Sequence, residues 1–148
     1  MENTGNYYVI NHIVMFTGLT DRTIRSYIAS GILQGEKING VWHFTPEQVE
    51  AFIQIPEVKL AIRSKNKSLV YDFMLDDFKK EDEACIILDL PNADRKIIME
   101  EFAYRINNSP YQNIHFSFDG NRNIPRVILK GKMDDVIEIV NAYKAALT

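Results

Sequence analysis

Apolar residues change their spacing along this chain, and each change marks an element. Ile13, Val14 and Phe16 fit the inner face of a short helix, with Asn11 as its expected cap and Gly18 as its break. Leu19 fills the turn that follows. Thr20 is a good N-cap for a second helix, Asp21 suits the positive end of its dipole, and Ile24 with Ile28 at i, i+4 forms its buried stripe. Gly31 is placed to end that helix in the left-handed conformation that a Cβ resists. Residues 36–38 and 41–44 then flank Asn39-Gly40, the dipeptide best suited to the two positive φ angles of a type I′ hairpin turn. Thr45-Pro46-Glu47-Gln48 opens a third helix, with a Thr cap, Pro at the first helical position and Gln at the capping-box position, and Val49, Phe52 and Ile53 supply its buried face.

Two short helices joined by a tight glycine-containing turn match the helix-turn-helix plan, and a β-ribbon directly after the second helix reads as a wing. With Ile24 and Ile28 inward, a rotation of about 100° per residue leaves Arg22, Thr23, Arg25 and Ser26 outside, with Tyr27 at the boundary. These are suitable chemistries for DNA. An arginine can bond guanine O6 and N7 bidentately, Thr and Ser reach base edges or phosphate, and a Tyr hydroxyl can fix register on a phosphate oxygen. Thr20, Lys37, Asn39, Trp42 and His43 complete the candidate DNA-binding set. Taken alone, the helix reads equally well as an ordinary amphipathic helix with two solvated arginines; the ribbon after it shifts the reading toward DNA.

Residues 7–55 resemble the winged helix-turn-helix of the MerR family and of the shorter phage excisionase-type modules. The resemblance rests on Gly18-Leu19-Thr20, Arg22-Thr23-Ile24-Arg25 with Tyr27, Gly31-Ile32-Leu33, Asn39-Gly40, and Phe44-Thr45 ahead of the third helix, and it covers about a third of the chain. It implies that the second helix reads the major groove, that the wing contacts the DNA backbone, and that paired modules bind a two-fold operator. Where the family's wing follows Asn-Gly with an aromatic and then an arginine, this chain has Val41 and Trp42, so Lys37 or His43 would have to serve as the wing cation. Longer MerR regulators continue into a second helical pair and an antiparallel coiled coil. Here Pro56 and the run 59–67 lead elsewhere, which makes the excisionase-like short module the closer match.

Beyond the module, residues 56–80 read as a linker or dimerisation helix in one or two pieces. Ser64 or Ser68 can cap it, and Leu69, Val70, Phe73, Met74 and Phe78 form a core or partner-facing stripe. Arg63, Lys65 and Lys67 read as a solvated connector, and Asp76, Asp77, Glu81, Asp82 and Glu83 as a charged helix end and loop. Residues 84–90 form a continuous apolar strand; 93–107 a helix with Ile97, Ile98, Phe102 and Ile106 inward; 114–118 and 125–129 a hairpin around Asp119-Gly120-Asn121; and 133–147 a final helix through Val136, Ile137, Val140 and Tyr143. The expected fold class is α+β: a winged helix-turn-helix domain at 1–55, the linker helix at 56–80, and at 81–148 a β-α-β-β-α domain, a ferredoxin-like plan without its last strand. In that plan the first strand would lie beside the missing one, so Cys85-Ile86-Ile87-Leu88 would present an apolar edge that a second subunit or the linker helix has to cover.

Composition narrows the functional classes. The 46% hydrophobic and 25% charged content is that of a folded globular chain. The apolar runs are far shorter than the roughly 20 residues that cross a bilayer, and Met1-Glu2-Asn3-Thr4-Gly5-Asn6 lacks a basic and an apolar leader segment, so a cytoplasmic location is expected and no membrane partner. Cys85 is the single cysteine and is read as a small core hydrophobe, and His12, His43 and His115 have no ligand spacing, so neither metal nor cofactor is expected. No nucleophile and base stand at a recognisable spacing, and Gly40, Gly120 and Gly131 read as turns, so the chain is not expected to be an enzyme. The net charge of −3 conceals an asymmetry: residues 1–68 hold seven Lys or Arg against six acids, and the remainder ten against fourteen. Only the first part is suited to meet phosphate, and then only through where its few cations sit. The expectation is a transcriptional regulator that binds double-stranded DNA at a two-fold operator as a homodimer, with the α+β half dimerising and serving as the place to look for a small-molecule effector. An excisionase-like DNA-bending protein and a protein-interaction adaptor without DNA binding stay open as alternatives.

Overall fold

The structure, a computed structural model, describes residues 7–107, 111, 113–119 and 123–147. Its first helix, α1 (Ile10–Thr17), begins earlier than an Asn11 cap allows: Val9 is the N-cap, and Nδ1 of His12 accepts the Val9 N–H at 3.0 Å. That imidazole does what a Ser or Asp side chain usually does at a helix start. Helix α2 (Asp21–Ala29) starts as expected at Thr20, whose hydroxyl oxygen accepts the Thr23 N–H at 3.1 Å. Ile24 is fully buried, whereas Ile28 is only half-buried, because α2 ends at Ala29 and Gly31 turns the chain away at φ 81°. The Ile32 and Leu33 N–H groups then both donate to the Tyr27 carbonyl, at 2.9 and 3.1 Å.

Strands β1 (Glu36–Ile38) and β2 (Val41–His43) pair antiparallel. Asn39 and Gly40 between them hold φ of 52° and 80°, the positive pair that the ribbon's right-handed twist demands. Two backbone bonds of 2.7 and 2.8 Å between Tyr8 and Phe44 tie the start of the chain to the ribbon's base. Helix α3 (Pro46–Ile53) carries the expected reciprocal box: the Gln48 N–H donates to Thr45 Oγ1 at 3.1 Å and the Thr45 N–H to Gln48 Oε1 at 2.9 Å. Val49, Phe52 and Ile53 are buried beneath it.

Helix α4 (Pro56–Leu75) is one unbroken helix of 20 residues, so neither Ser64 nor Ser68 caps it; Ile55 is the N-cap and Pro56 takes the first helical position. Its inner face is Val58, Ile62 and Asn66, with Leu69, Val70 and Phe73 half-buried, while Met74 and Phe78 of the expected stripe are exposed. The stripe splits because Met74 lies about a quarter-turn round from the face of Asn66, Leu69 and Phe73, and Phe78 lies beyond the helix end at Leu75. The Lys79 ammonium closes the helix end, donating to the Phe73 and Asp76 carbonyls at 2.6 and 2.7 Å.

The remaining elements are β3 (Glu83–Asp89), α5 (Arg95–Asn107), β4 (His115–Asp119), β5 (Arg126–Lys132) and α6 (Met133–Ala146). The three strands form an antiparallel sheet in the order β3-β5-β4, with Ile86 and Phe116 both opposite Leu129. The molecule is thus mixed helix and sheet, six helices with two small antiparallel sheets among the described residues. Gly120 and Asn121 of the expected hairpin turn lie outside the described residues. Two helical faces are rotated from expectation. In α5 the buried set is Ile98, Met99, Phe102 and Ala103, with Ile106 half-buried and Ile97 exposed; in α6 it is Val136, Ile139 and Tyr143, with Val140 half-buried and Ile137 exposed. In each helix a second isoleucine lies one or two positions from the true inner residue, and periodicity alone chooses poorly between them.

Successive residues of β4 serve opposite faces of the sheet. Phe116 stacks on Phe102 of α5, with centroids 5.4 Å apart, while Ser117 donates to the buried Asn66 of α4 and Asp119 accepts from Arg63 at 3.2 Å. Helix α4 therefore lies on β4 and β5 from the side opposite α5 and α6. Helix α1 packs on β4 and α5. A line of aromatic contacts runs from Tyr8 to Phe16, Phe116, Phe102 and Tyr143, so the N-terminal helices and the three-stranded sheet share one buried cluster.

Candidate nucleic-acid interface

The outer side of α2 presents the polar residues its periodicity implies, and local bonds occupy several of them. Arg25 Nε donates to Asp21 Oδ1 at 2.6 Å, an i, i+4 pair exposed to solvent on both sides. The Thr20 hydroxyl donates to the Thr23 hydroxyl at 2.9 Å while its oxygen caps the helix. Arg22 and Ser26 are exposed, and Tyr27 is half-buried with its ring edge-on to Phe52 of α3, centroids 5.2 Å apart. Tyr27 is thereby fixed by packing, a role that its position at the boundary of the apolar stripe leaves undecided.

The ribbon divides its candidates between two faces. Lys37 lies opposite Trp42 in the register, with its ammonium 5.9 Å from the indole centroid, close enough for a cation–π contact. Glu36 lies opposite His43 on the other face, where the imidazole stacks on Tyr7 at 4.0 Å. Lys37 and Trp42 share a shallow depression of about 280 Å³ with Asn11 of α1, Asp21 and Arg25 of α2, and Gly40 of the turn. His43 is not among its lining residues. Between the two candidate wing cations, geometry therefore places Lys37 beside the helix and His43 away from it. Asn39 sits at the exposed tip.

Reasoning from the sequence misses two contributors. Asn11, expected as a helix cap, lines this depression instead, because His12 takes the capping role. Asp21 reads in the sequence as a helix-dipole residue, although its spacing of four from Arg25 is the usual signal of an ion pair on a helix surface. Comparison of the chain with protein-family models, with curated proteins and with solved structures finds no match.

Other sites fit anionic partners less well. A second depression, about 570 Å³, gathers Asp76, Glu81, Glu83 and Asp135 around His115, Lys130 and Lys132. Its excess of carboxylates repels phosphate. Burial lowers the pKa of His115 and Lys130 lowers it further, with Glu83 opposing, and this disfavours the imidazolium there. Burial also lowers the pKa of His12, which suits its work as a hydrogen-bond acceptor for Val9, and pushes the Tyr8 hydroxyl up to about 12, helped by Glu100 of α5. The Cys85 thiol is raised by burial against a smaller pull from Lys130, so it is held as a thiol rather than a thiolate. No helix among the described residues is long and apolar enough to cross a membrane.

Proposed function

We propose that this protein is a sequence-specific DNA-binding transcriptional regulator, MerR-like in its N-terminal module, that binds a two-fold operator as a homodimer. In this reading residues 7–55 form a winged helix-turn-helix, and the β3-β5-β4 sheet with α5 and α6 is a ferredoxin-like plan lacking its last strand. One observation carries it: Arg25 in the middle of α2 and Lys37 with Trp42 on the ribbon border a single depression. A recognition helix and a wing need this side-by-side placement to engage a groove and its flanking backbone together. Arg25 and Arg22 are the base-reading candidates, Ser26 and Thr23 reach base edges or phosphate, and Lys37 meets phosphate. The chemistry is recognition rather than catalysis.

The adaptor alternative draws on the bonds within α2. Arg25 is held by Asp21 and Thr23 by Thr20, so a DNA-binding α2 must exchange these contacts for contacts to DNA. Selection of bound sequences from random duplex DNA separates the readings. Inverted half-sites at a fixed spacing are expected. Phased or direct sites would favour the DNA-bending role instead, and no enrichment even at low salt would overturn DNA binding altogether.

A further inference from the structure

We propose that the face built by α4 and the open edge of β3 binds a second copy of this chain, bringing the two β3 strands together about a two-fold axis. The inference deepens the homodimer of the proposed function and does not depend on its DNA contacts.

The two edges of the sheet are treated differently. Strand β4 has α1 packed against it, whereas β3 packs on β5 and α6, and among the described residues no strand pairs with its other edge. Alternate residues of this seven-residue strand thus turn their main-chain donors and acceptors to a side with no strand partner among the described residues. Beside this edge α4 and the sheet form a groove of about 410 Å³, with Val70, Tyr71, Met74, Ile87 and Ile128 in its apolar centre. Tyr71, Met74 and Ile87 are 60%, 61% and 49% exposed, and Leu75 next to them is 73% exposed. An apolar patch beside an open strand edge is a joint invitation to strand addition.

The charges around the groove select the occupant. Arg63, Lys67 and Arg126 line one end. Asp119 and Asp89 bind Arg63 and Arg126, leaving Lys67 in excess. At the other end the close of α4 and the start of β3 bring Asp76, Glu81 and Glu83 together with Asp135, next to Asp77 and Asp82 in sequence, where these six acids outnumber Lys79, Lys80, Lys130 and Lys132. The face is therefore dipolar around an apolar middle. A two-fold axis through that middle sets the acidic end of each copy against the basic end of the other and buries both apolar centres, as an isologous contact requires. Any arrangement that keeps the copies parallel stacks like charges on like.

Sedimentation velocity of the full chain over a micromolar concentration series tests this. The wild type is expected to dimerise, more weakly as salt rises. Ile87→Lys and Tyr71→Glu, both at exposed positions, should weaken the dimer at least about tenfold with helical content and melting unchanged. Lys67→Glu should also weaken it, and adding Asp77→Lys should restore it, since the exchange rebuilds the match across the axis. Ile137→Lys on α6 is the control and should leave the dimer as it was. A wild-type dimer insensitive to both Ile87→Lys and Tyr71→Glu would overturn this surface while leaving the two-fold DNA reading intact. A monomeric wild type would overturn the surface and the homodimer together, while DNA selection would still judge DNA binding by itself.

Discussion

Helix α2 with its ribbon and helix α4 with strand β3 are both exposed, yet the first ties polar groups to one another while the second leaves apolar side chains bare. Thr20 bonds to Thr23, Asp21 to Arg25, each within one turn of helix, and Lys37 rests over Trp42. Tyr71, Met74 and Ile87 cost free energy simply by facing water. The contrast separates two kinds of exposure. Polar groups on α2 can exchange their internal bonds for bonds to another polar partner at little net cost, which favours a reversible, salt-sensitive contact. Apolar groups on α4 and β3 gain by being covered, which favours a lasting one.

The largest expected effect breaks both faces at once. Phe116 stands between Phe16 and Phe102 at the centre of the shared core, so Phe116→Ala should cost about 3–5 kcal/mol. Urea unfolding followed by Trp42 fluorescence and by far-ultraviolet circular dichroism should give coincident transitions, because ribbon and sheet are joined through α1. Separate transitions would show that the two faces belong to independent folding units.

A second change should touch the α2 face alone. Arg25→Ala is expected to remove about 1–3 kcal/mol of discrimination between operator and altered sites, with self-association unchanged. If neither Arg25→Ala nor Arg22→Ala alters binding, α2 is not the reading helix. Acid should act more mildly. His12 and His115 have folded pKa values depressed below 6.5, so the unfolded chain binds more protons as pH falls past that value. Their contribution to stability is present above pH 6.5 and is lost as pH falls through the folded values. Unfolding measured from pH 7.5 to 5, a window set by the usual histidine pKa of about 6.5, should show this slope, and it should flatten in His12→Ala. The smallest effect is expected from Lys37→Ala, which should weaken binding to all DNA sequences alike and reduce the salt slope by about 1. A sequence-selective loss there would move Lys37 from the backbone to the bases.

Features set by a few neighbouring residues are legible in the sequence alone. The Thr20 cap, the Gly31 turn, the positive φ pair at Asn39 and Gly40, and the Thr45–Gln48 box depend on bonds spanning two to four residues, and each occurs where the sequence implies it. The order of the later strands and helices follows from their apolar runs in the same way. Errors gather where apolar residues are too plentiful to show a single face: Ile97 beside Ile98, Ile137 beside Val136, and Met74 beyond Phe73. They also gather where an unusual residue does a common job, as His12 does at the start of α1.

By itself, then, the sequence determined the local architecture and named the polar residues of α2 and the ribbon. Only tertiary structure decided that Lys37 rather than His43 lies beside Arg25, that Phe16 and Phe116 join the N-terminal helices to the sheet, and that α4 covers β4 and β5 while β3 keeps an open edge among the described residues. The physical reason is range. Caps and turns are fixed by hydrogen bonds within a single turn of chain, whereas the side a residue faces depends on which distant element reaches it first.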